Sequence, residues 1–410
     1  MASRPMHAPQ PAPPPKIGSI LLLGGLTAMG AVSIDLYLPS LPAIGVALHA
    51  DPAAVQQSMA AFFIGMAIGQ LIYGPVSDRI GRRPALLVGA VIYVAASLAC
   101  AAAPSIGWLV AFRFIQALGA CAGQVVARAV VRDRYDHQDS ARIFSLMTLV
   151  LGVAPLLAPS VGAWLVTFVS WRSIFLALAA IGTVIGIATG LRLTESRSAA
   201  TAAMARDESV TASFFGLLRH SRLLGYLLAN ALNGATLFTY ISAGPDLLIT
   251  NYGFTAREFG WVFASMGVGV IGSSQVNRFL LKRFSSDRIL GVASLGGIAA
   301  GAGLLAAAVT GIGGVWGLLP MLFCALTSFG FMASNTTAGA LSVDPVRAGA
   351  TSALIGSASF GVGALASIVA GWFHNGTAVP MAAVMLASLI GAGVALFTLA
   401  LPRGAERSDP

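Results

Sequence analysis

Two charged residues lie inside long apolar stretches of this sequence, where a charge is costly and usually serves a function. Asp35 interrupts an apolar run near the N-terminus, and Arg113 follows Trp108 in another such run. A charged side chain among membrane hydrocarbon is a functional-site hypothesis by default. A carboxyl group that alternates between its charged and neutral forms can carry a proton, and a neighbouring arginine changes the balance between the two forms. Asp35 and Arg113 therefore predict a proton-coupling site.

This prediction requires that the two charges lie at compatible depths. Roughly 28 Å of helix separates Lys16 from Asp35 at 1.5 Å per residue, which places Asp35 in the outer half of a membrane. Arg113 lies about 8 Å beyond Trp108 on the same rise. Both residues can line the outer half of one cavity. The alternative is that each side chain only reaches back to the outer interface, which suits a long arginine better than a short aspartate.

The loop Gly74–Pro84, which is basic and framed by glycines, carries the most specific motif in the chain. An aspartate at the end of an apolar helix can face the positive N-terminus of a neighbouring helix, and arginine supplies a bidentate partner. A generic basic turn would explain why arginines are present here, but not the spacing of the glycines, the aspartate and the arginines relative to one another. Asp133 is predicted to lie on the same face of the membrane as this loop. Arg82 can therefore form a bridge between Asp78 and Asp133. We predict a conformational latch made of Gly74, Asp78, Arg79, Gly81, Arg82, Arg83 and Asp133.

Polar residues without charge mark the apolar segments of the second half. Asn230, Asn233 and Asn335 are candidates for the wall of a substrate cavity. The alternative is that they form hydrogen bonds between helices, which is the common use of such side chains inside a membrane bundle. The sequence leaves the two interpretations open.

The composition excludes a soluble protein. The chain has 410 residues, of which 57% are hydrophobic and 10% are charged, with a mean hydropathy of +0.83. A soluble domain carries roughly 25% charged residues. A membrane-spanning helix needs about 20 apolar residues. We predict an all-α membrane protein with about twelve spans, at 17–38 (continuing to about 48), 54–74, 84–103, 107–130, 143–167, 172–191, 223–249, 257–279, 288–310, 315–341, 350–373 and 378–401.

A long polar break divides these spans into two sets of six. We predict two pseudo-symmetric six-helix bundles joined by a cytoplasmic loop and flanked by two cytoplasmic tails, the first of them Pro-rich and disordered. The predicted boundaries are 1–16 for the first tail, 17–192 and 222–401 for the bundles, 193–221 for the central loop and 402–410 for the last tail.

The excess of basic residues in this chain indicates how it is oriented in the membrane. The formal net charge is +9, and most lysines and arginines fall in alternate loops, as cytoplasmic loops require. No stretch mixes basic and aromatic residues densely, so nucleic-acid binding is not expected. The histidines and the three cysteines form no metal-ligand pattern, and the sequence contains no phosphate-binding glycine loop. We expect no enzyme activity, no metal and no cofactor, with a proton gradient as the energy source.

The basic loop and the six-plus-six pattern resemble the major facilitator superfamily, in its drug/proton antiporter branch. The loop Gly74–Pro84 matches the superfamily signature position by position. Three further segments are similar to the bicyclomycin and chloramphenicol/florfenicol resistance (Bcr/CflA) type, namely Asp35-Leu36-Tyr37-Leu38-Pro39-x-x-Pro42, Arg132-Asp133-x-Tyr135 and Trp171-Arg172-x-Ile174-Phe175.

The resemblance implies roles for further residues. Tyr37 and Gln116 would line the substrate cavity, and Arg113 would belong to the fourth-span pattern of the family. Pro155, Pro159 and Gly162 match a weakened form of the antiporter element of the fifth span, in which three glycines have become alanines. The resemblance also places Asp78 against the start of the eleventh span. The implied fold has a central cavity that opens alternately to each side.

The function implied is the proton-coupled export of small amphipathic drugs, such as phenicol or bicyclomycin antibiotics, by a multi-pass protein of the bacterial cytoplasmic (inner) membrane. We expect a functional monomer whose partners are its substrate, protons and the lipid bilayer. One alternative is the transport of a metabolite such as a nucleoside, amino acid or sugar. A membrane sensor is a third alternative, but the sequence offers no soluble output domain.

Overall fold

The computed structural model describes residues 17–135, 137–198 and 210–401. The predicted tails 1–16 and 402–410 and part of the predicted central loop, 199–209, lie outside the described residues. The first half contains α1 (Ile17–Asp35), α2 (Leu41–Ala47), α3 (Pro52–Ile80), α4 (Arg82–Ala101), α5 (Ile106–Arg134), α6 (His137–Phe168) and α7 (Trp171–Arg192).

The second half repeats this arrangement of long helices after a short additional helix. It contains α8 (Val210–Leu218), α9 (Ser221–Pro245), α10 (Ala256–Leu280), α11 (Ser286–Thr310), α12 (Gly314–Val343), α13 (Ala348–Trp372) and α14 (Val379–Ala395). Helices α9 and α14 continue into π-helical turns, Asp246–Asn251 and Leu396–Ala400. Within the described residues, ten segments are long and apolar enough to cross a membrane. The two other long helices, α6 and α9, coincide with the predicted fifth and seventh spans.

The first predicted span is not one continuous helix. Helix α1 ends at Asp35, and a 3₁₀ turn (Leu38–Ser40) leads into the short α2. Proline lacks the N–H that a helix interior requires, and Pro39 and Pro42 both stand at the start of a new helical segment. The break leaves Asp35 at the C-terminal end of a helix inside the protein.

The helix contacts form two similar bundles. In the first, α5 packs against α1, α3 and α4, while α1 also packs against α6 and α4 against α7. The second repeats these pairs, with α12 against α9, α10 and α11, α9 against α13, and α11 against α14. The bundles meet along two helix pairs, α3 with α13 and α6 with α10.

The space between the bundles is closed at one end. We call the face that holds the start of α1 the terminal face, and the opposite one the distal face. The α3–α13 contact runs from Gln56 and Gly371 near the distal face to Gln70 and Gly356. Phe63 of α3 lies between these levels, with its ring tilted by 51° against that of Phe238 on α9 and the two centroids 4.7 Å apart.

Toward the terminal face the bundles separate. A Cβ atom added to Gly74 of α3 or to Gly349 of α13 would have no neighbouring heavy atom within 4 Å. The structure therefore shows the bundles joined at the distal face, with the space between them opening toward the terminal face.

Candidate functional site

Arg113 lies fully buried in the distal half of the first bundle, on α5. Its Nη1 atom donates hydrogen bonds to the Ser33 carbonyl oxygen (3.2 Å) and to Gln116 Oε1 (2.7 Å). Aromatic rings enclose the guanidinium group, with the Tyr37 centroid at 4.4 Å and the Phe62 centroid at 4.1 Å. Cation–π contacts of this kind stabilise a desolvated cation. Neutral groups thus surround the charge of Arg113.

A hydrogen-bond chain fixes the position of Gln116. Its Nε2 donates to Ser97 Oγ at 2.7 Å, and Ser97 Oγ donates to the Tyr93 carbonyl oxygen at 2.7 Å. Gln116 and Arg113 are three residues apart on α5, on one side of the helix. The chain therefore connects the arginine through Gln116 to α4.

Asp35 is buried, with 4% of its surface exposed, and its Oδ2 atom has no hydrogen-bond partner among the described residues. It is the last residue of α1, where the helix dipole favours cations rather than anions. A carboxylate buried without a partner is costly in its charged form. The surroundings of Asp35 in this structure therefore suit a bound proton.

The structure does not bring Asp35 and Arg113 into contact. The ion pairs among the described residues do not include these two side chains. Arg113 instead contacts Ser33 of α1 and Tyr37 of the turn that follows α1, on either side of Asp35 in sequence. The two charges share one region of the first bundle but hold different partners.

Four of the residues predicted to line the substrate cavity hold partners within their own bundle in this structure, and their role in substrate binding stays a prediction. Tyr37 and Gln116 are fully buried against Arg113. Asn230 donates a hydrogen bond to Thr336 Oγ1 (2.7 Å) and accepts one from Ser359 (2.8 Å). Asn335 donates to Asn277 (2.8 Å) and accepts from Ser286 (3.0 Å). Both asparagines tie helices of the second bundle together, because their amides satisfy donors and acceptors that hydrocarbon cannot.

Asn233 differs from the other two asparagines. Its side chain is fully buried, and neither its Oδ1 nor its Nδ2 has a partner among the described residues. Thr236 and Tyr240, three and seven residues later on α9, also have unpartnered hydroxyl groups. An unpaired buried polar group costs free energy. Asn233 therefore remains a candidate polar contact for a ligand.

Arg82 stands between two carboxylates at the terminal face. Its Nη1 lies 2.5 Å from Asp78 Oδ1, and its Nε lies 2.9 Å from Asp133 Oδ2. Nη1 also donates to Ser77 Oγ at 2.7 Å. The arginine is nearly buried, so these charge-assisted bonds hold the ends of α3, α4 and α5 together.

The other residues of the basic loop hold its backbone. Gly81 has φ = 108°, a conformation that favours glycine, and it joins α3 directly to α4. Arg83 Nη2 donates to the Gly190 carbonyl oxygen at 2.7 Å. The Arg79 carbonyl oxygen accepts a bond from Arg197 Nη1. Gly74 faces open space, as noted above.

Glu195 is a functional candidate that the sequence did not reveal. Its Oε1 accepts from the Arg82 N–H (2.9 Å) and its Oε2 from the Arg83 N–H (3.1 Å), which caps the N-terminus of α4. The signal was an acidic residue directly after α7, in a loop otherwise rich in arginine. We call residues 193–198, which cross the basic loop here, the clasp.

The clasp changes the pKa of Glu195. Partial burial raises this pKa, but the backbone N–H groups of Arg197, Arg82, Arg83 and Ser196 together lower it below its ordinary value. These donors stabilise the charged carboxylate, as helix N-termini do generally. Glu195 is therefore ionised at neutral pH.

Helix α6 approaches α1 closely next to Asp35. A Cβ atom on Gly162 would overlap the Leu36 carbonyl oxygen, so only glycine allows this approach. Pro155 and Pro159 lie inside the same helix. These prolines lie on the side of α6 that faces α10, where Gly267 is near Pro155 and Gly260 is near Pro159. The predicted antiporter element thus lies between Asp35 and the second bundle.

Solved structures with the same fold support this architecture. The chain matches a D-xylose–proton symporter with a TM-score of 0.69 and 15% identity, covering 93% of this chain and 97% of that one. It also matches the nucleoside transporter NupG with a TM-score of 0.71 and 16% identity, covering 92% and 97%. At this identity the likeness concerns the fold alone.

The sequence is similar to curated bacterial transporters over nearly its full length. It is 34% identical to the uncharacterised transporter YdgK of Bacillus subtilis (96% of this chain, 98% of that protein). It is 30% identical to a bicyclomycin resistance protein homolog of Haemophilus influenzae (93% and 95%). It is also 30% identical to the multidrug resistance protein MdtL of Klebsiella pneumoniae (79% and 81%).

The family model of the Major Facilitator Superfamily matches residues 21–367. The chain therefore belongs to this superfamily. It is a transporter rather than an enzyme, and a multi-pass protein of the bacterial cytoplasmic (inner) membrane. The predicted fold of two related bundles is confirmed.

Proposed function

We propose that this transporter exports small amphipathic drugs and that proton movement in the opposite direction drives the export. The names of two relatives support the substrate class, since one is a bicyclomycin resistance homolog and the other a multidrug resistance protein. Phenicol and bicyclomycin antibiotics are the substrates to test first. The proton gradient is the energy source, with no other cofactor.

The observation that carries the coupling is the unpartnered carboxyl group of Asp35. An acid that a nearby arginine neutralised permanently would have no reason to exchange protons. Asp35 lies instead at a helix end inside the first bundle, with a buried cation in the same region but bonded to other groups. Protonated Asp35 then belongs to the state that is closed at the distal face, and drug loading accompanies proton release.

The orientation of the chain is part of the proposal. Most basic loops lie on the terminal face, which by the positive-inside rule is cytoplasmic, together with both tails and the central loop. The structure then corresponds to an inward-open state. The two bundles, 17–192 and 222–401, rock about the proposed site in a functional monomer that contacts only substrate, protons and lipid.

The test is transport by purified protein in liposomes. In liposomes that hold the protein inside-out, with its distal face toward the lumen, a pH gradient that is acidic inside should drive uptake of chloramphenicol or bicyclomycin. Collapse of the gradient with a protonophore should stop this uptake. Movement of a nucleoside, an amino acid or a sugar under the same gradient, without movement of either drug, would contradict drug export and support a metabolite transporter.

A further inference from the structure

Arg128 is an exposed cation on a buried turn of α5. It is more than a third exposed, although it lies within a helix that is long and apolar enough to span the membrane. Its neighbours on that turn have at most 5% of their surfaces exposed: Val126, Ala127, Ala129, Val130 and Val131. The helix is therefore open to solvent in one direction only, where Arg128 stands.

The helix geometry identifies this direction as the space between the bundles. In the distal half of α5, the exposed residues Trp108 and Ile115 mark the outer surface of the bundle. Arg128 follows Ile115 by 13 residues, or about 220° around a helix of 3.6 residues per turn, which is nearly the opposite side. Arg128 also follows Cys121, which packs against Gly69 of α3, by seven residues, or nearly two full turns. The arginine therefore lies on the side of α5 next to α3, the helix that borders the second bundle.

Arg128 lies where the two bundles are apart. On the parallel neighbour α3, Gly69 packs against Cys121 of α5, so Arg128 stands level with the turn that follows Gly74. The contacts of α3 with α13 are found at Gln70 and nearer the distal face. The arginine thus stands at the mouth of the inter-bundle space, about 22 Å from Arg113 along the helix at 1.5 Å per residue.

The Arg128 side chain has no ion-pair or hydrogen-bond partner within the described part of the chain. One turn nearer the distal face, Gln124 is half-buried, and its Oε1 is enclosed and unpartnered as well. A cation inside a span normally pairs with another group or lines a water-filled path for substrate. Two neighbouring polar side chains without partners therefore form a site prepared for a ligand.

We propose that Arg128 and Gln124 are the entry site for the substrate, and that this site accepts the hydrogen-bond-acceptor end of an uncharged or anionic compound while it rejects lipophilic cations. The inference rests on the proposed export function and specifies its substrate class. The guanidinium group offers several donors to a carbonyl, nitro or carboxylate group. A cation that enters the mouth meets a like charge before it can reach the buried carboxyl group of Asp35 in the distal half.

The first experiment measures the charge preference of the mouth without any substrate. A cysteine is placed at Gln124 in a protein whose exposed Cys324 is replaced by serine; Cys100 and Cys121 are buried. Its reaction rates with a sulfonate-bearing and a trimethylammonium-bearing methanethiosulfonate are compared in inside-out vesicles. We expect the anionic reagent to be favoured about tenfold, and Arg128→Gln to remove this preference.

Two matched variants separate a local from a general effect of charge. Arg128→Lys keeps the charge and should keep the preference for the anionic reagent. Arg132→Gln removes an exposed charge one turn nearer the terminal face and should leave the preference nearly unchanged. Equal losses in Arg128→Gln and Arg132→Gln, or no loss in either, would overturn the proposal.

The second experiment tests selectivity in transport. Arg128→Gln should raise the KM for chloramphenicol about tenfold, because a hydrogen bond to a charged group is lost, with little change in kcat. The same variant should become sensitive to inhibition by tetraphenylphosphonium, which should not inhibit the wild-type protein. An unchanged KM, or wild-type inhibition by tetraphenylphosphonium, would contradict the inference. A wild-type protein that moves no drug contradicts the proposed function instead. The reaction rates of the two methanethiosulfonate reagents then still test the role of Arg128.

Discussion

At the scale of single residues, burial and depth could be predicted from the sequence, but partners could not. Counting residues along a helix places Asp35 and Arg113 at similar depths, and both are buried in the structure. The count does not give the direction in which a side chain points. Arg113 turns toward Gln116 of its own helix and toward the aromatic rings of Tyr37, in the turn after α1, and Phe62, on α3.

Replacement of Asp35 tests its role as the proton carrier. Asp35→Asn keeps the shape of the side chain but cannot bind and release a proton. We expect concentrative, pH-driven drug transport to disappear, while exchange of drug down its own gradient continues. Asp51→Asn is the control, since Asp51 caps α3 at the distal face and asparagine caps a helix equally well. Active pH-driven transport by Asp35→Asn would exclude this residue as the carrier.

Replacement of Arg113 tests the buried cation. Arg113→Ala leaves the Ser33 carbonyl and Gln116 Oε1 without their donor, at a cost of about 1–3 kcal/mol for each buried unpaired group. We expect lower thermal stability in detergent and no transport. Arg113→Lys keeps the charge but loses the planar fork, so transport should return only in part. Full transport by the alanine variant would show that Arg113 is not required.

At the scale of elements, the apolar spacing predicted the long helices well and the irregular segments poorly. Helix α6 begins at His137, before the predicted fifth span, because a helix continues beyond the membrane wherever side chains favour it. The spacing does not predict helix α8, because Val210–Leu218 lies within the long polar break. The break after Asp35 was also missed, because an apolar run looks alike whether or not it is one helix.

The close approach of α6 to α1 predicts a stability effect at Gly162. Gly162→Ala places a methyl group on the Leu36 carbonyl oxygen, and we expect a loss of about 1–3 kcal/mol from overpacking. Gly152→Ala on the same helix is the control, because its Cβ would meet Ile271 at an ordinary 3.6 Å. Thermal unfolding in detergent compares the two variants. Equal stability of both would contradict the close approach.

The clasp predicts a pH-dependent contribution from Glu195. Its pKa is lower in the folded protein than in the unfolded chain, because backbone N–H groups bind the carboxylate. The stabilisation is therefore complete above the unfolded value and disappears as the pH falls through the lowered folded value. Glu195→Gln should reduce the melting temperature at neutral pH, and the difference from wild type should shrink in acid. A difference independent of pH would point to lost packing rather than lost charge.

At the scale of the whole molecule, the sequence predicted two related bundles but could not predict which face is open. Composition and spacing are the same in every state of a transporter, whereas the open face depends on a small free-energy difference between states. The structure is joined at the distal face, where Gln56 meets Gly371. In this state the Asp78 carboxylate pairs with Arg82, and Thr351 at the start of α13 is buried with an unpartnered hydroxyl.

A latch at the terminal face would form when the bundles close there. Asp78 would then approach the N-terminus of α13, and the contact of a charge with a helix end is worth about 1–2 kcal/mol. Asp78→Asn should therefore slow turnover, leave drug affinity in detergent nearly unchanged and raise the labelling rate of a cysteine placed at the exposed Ser352. Unchanged labelling together with a collapse of drug binding would show that Asp78 shapes the fold instead.

The position of the clasp in the chain also has a consequence for biosynthesis. Arg82 and Arg83, the residues of α4 that Glu195 caps, are made before it, and the clasp follows directly after α7, the last long helix of the first bundle. Domains fold as units, with the N-terminal one first during synthesis. The first bundle can thus seal its own terminal face while the ribosome is still translating α9. The nascent chain then enters the second half already fastened to a finished partner, against which the later helices can assemble.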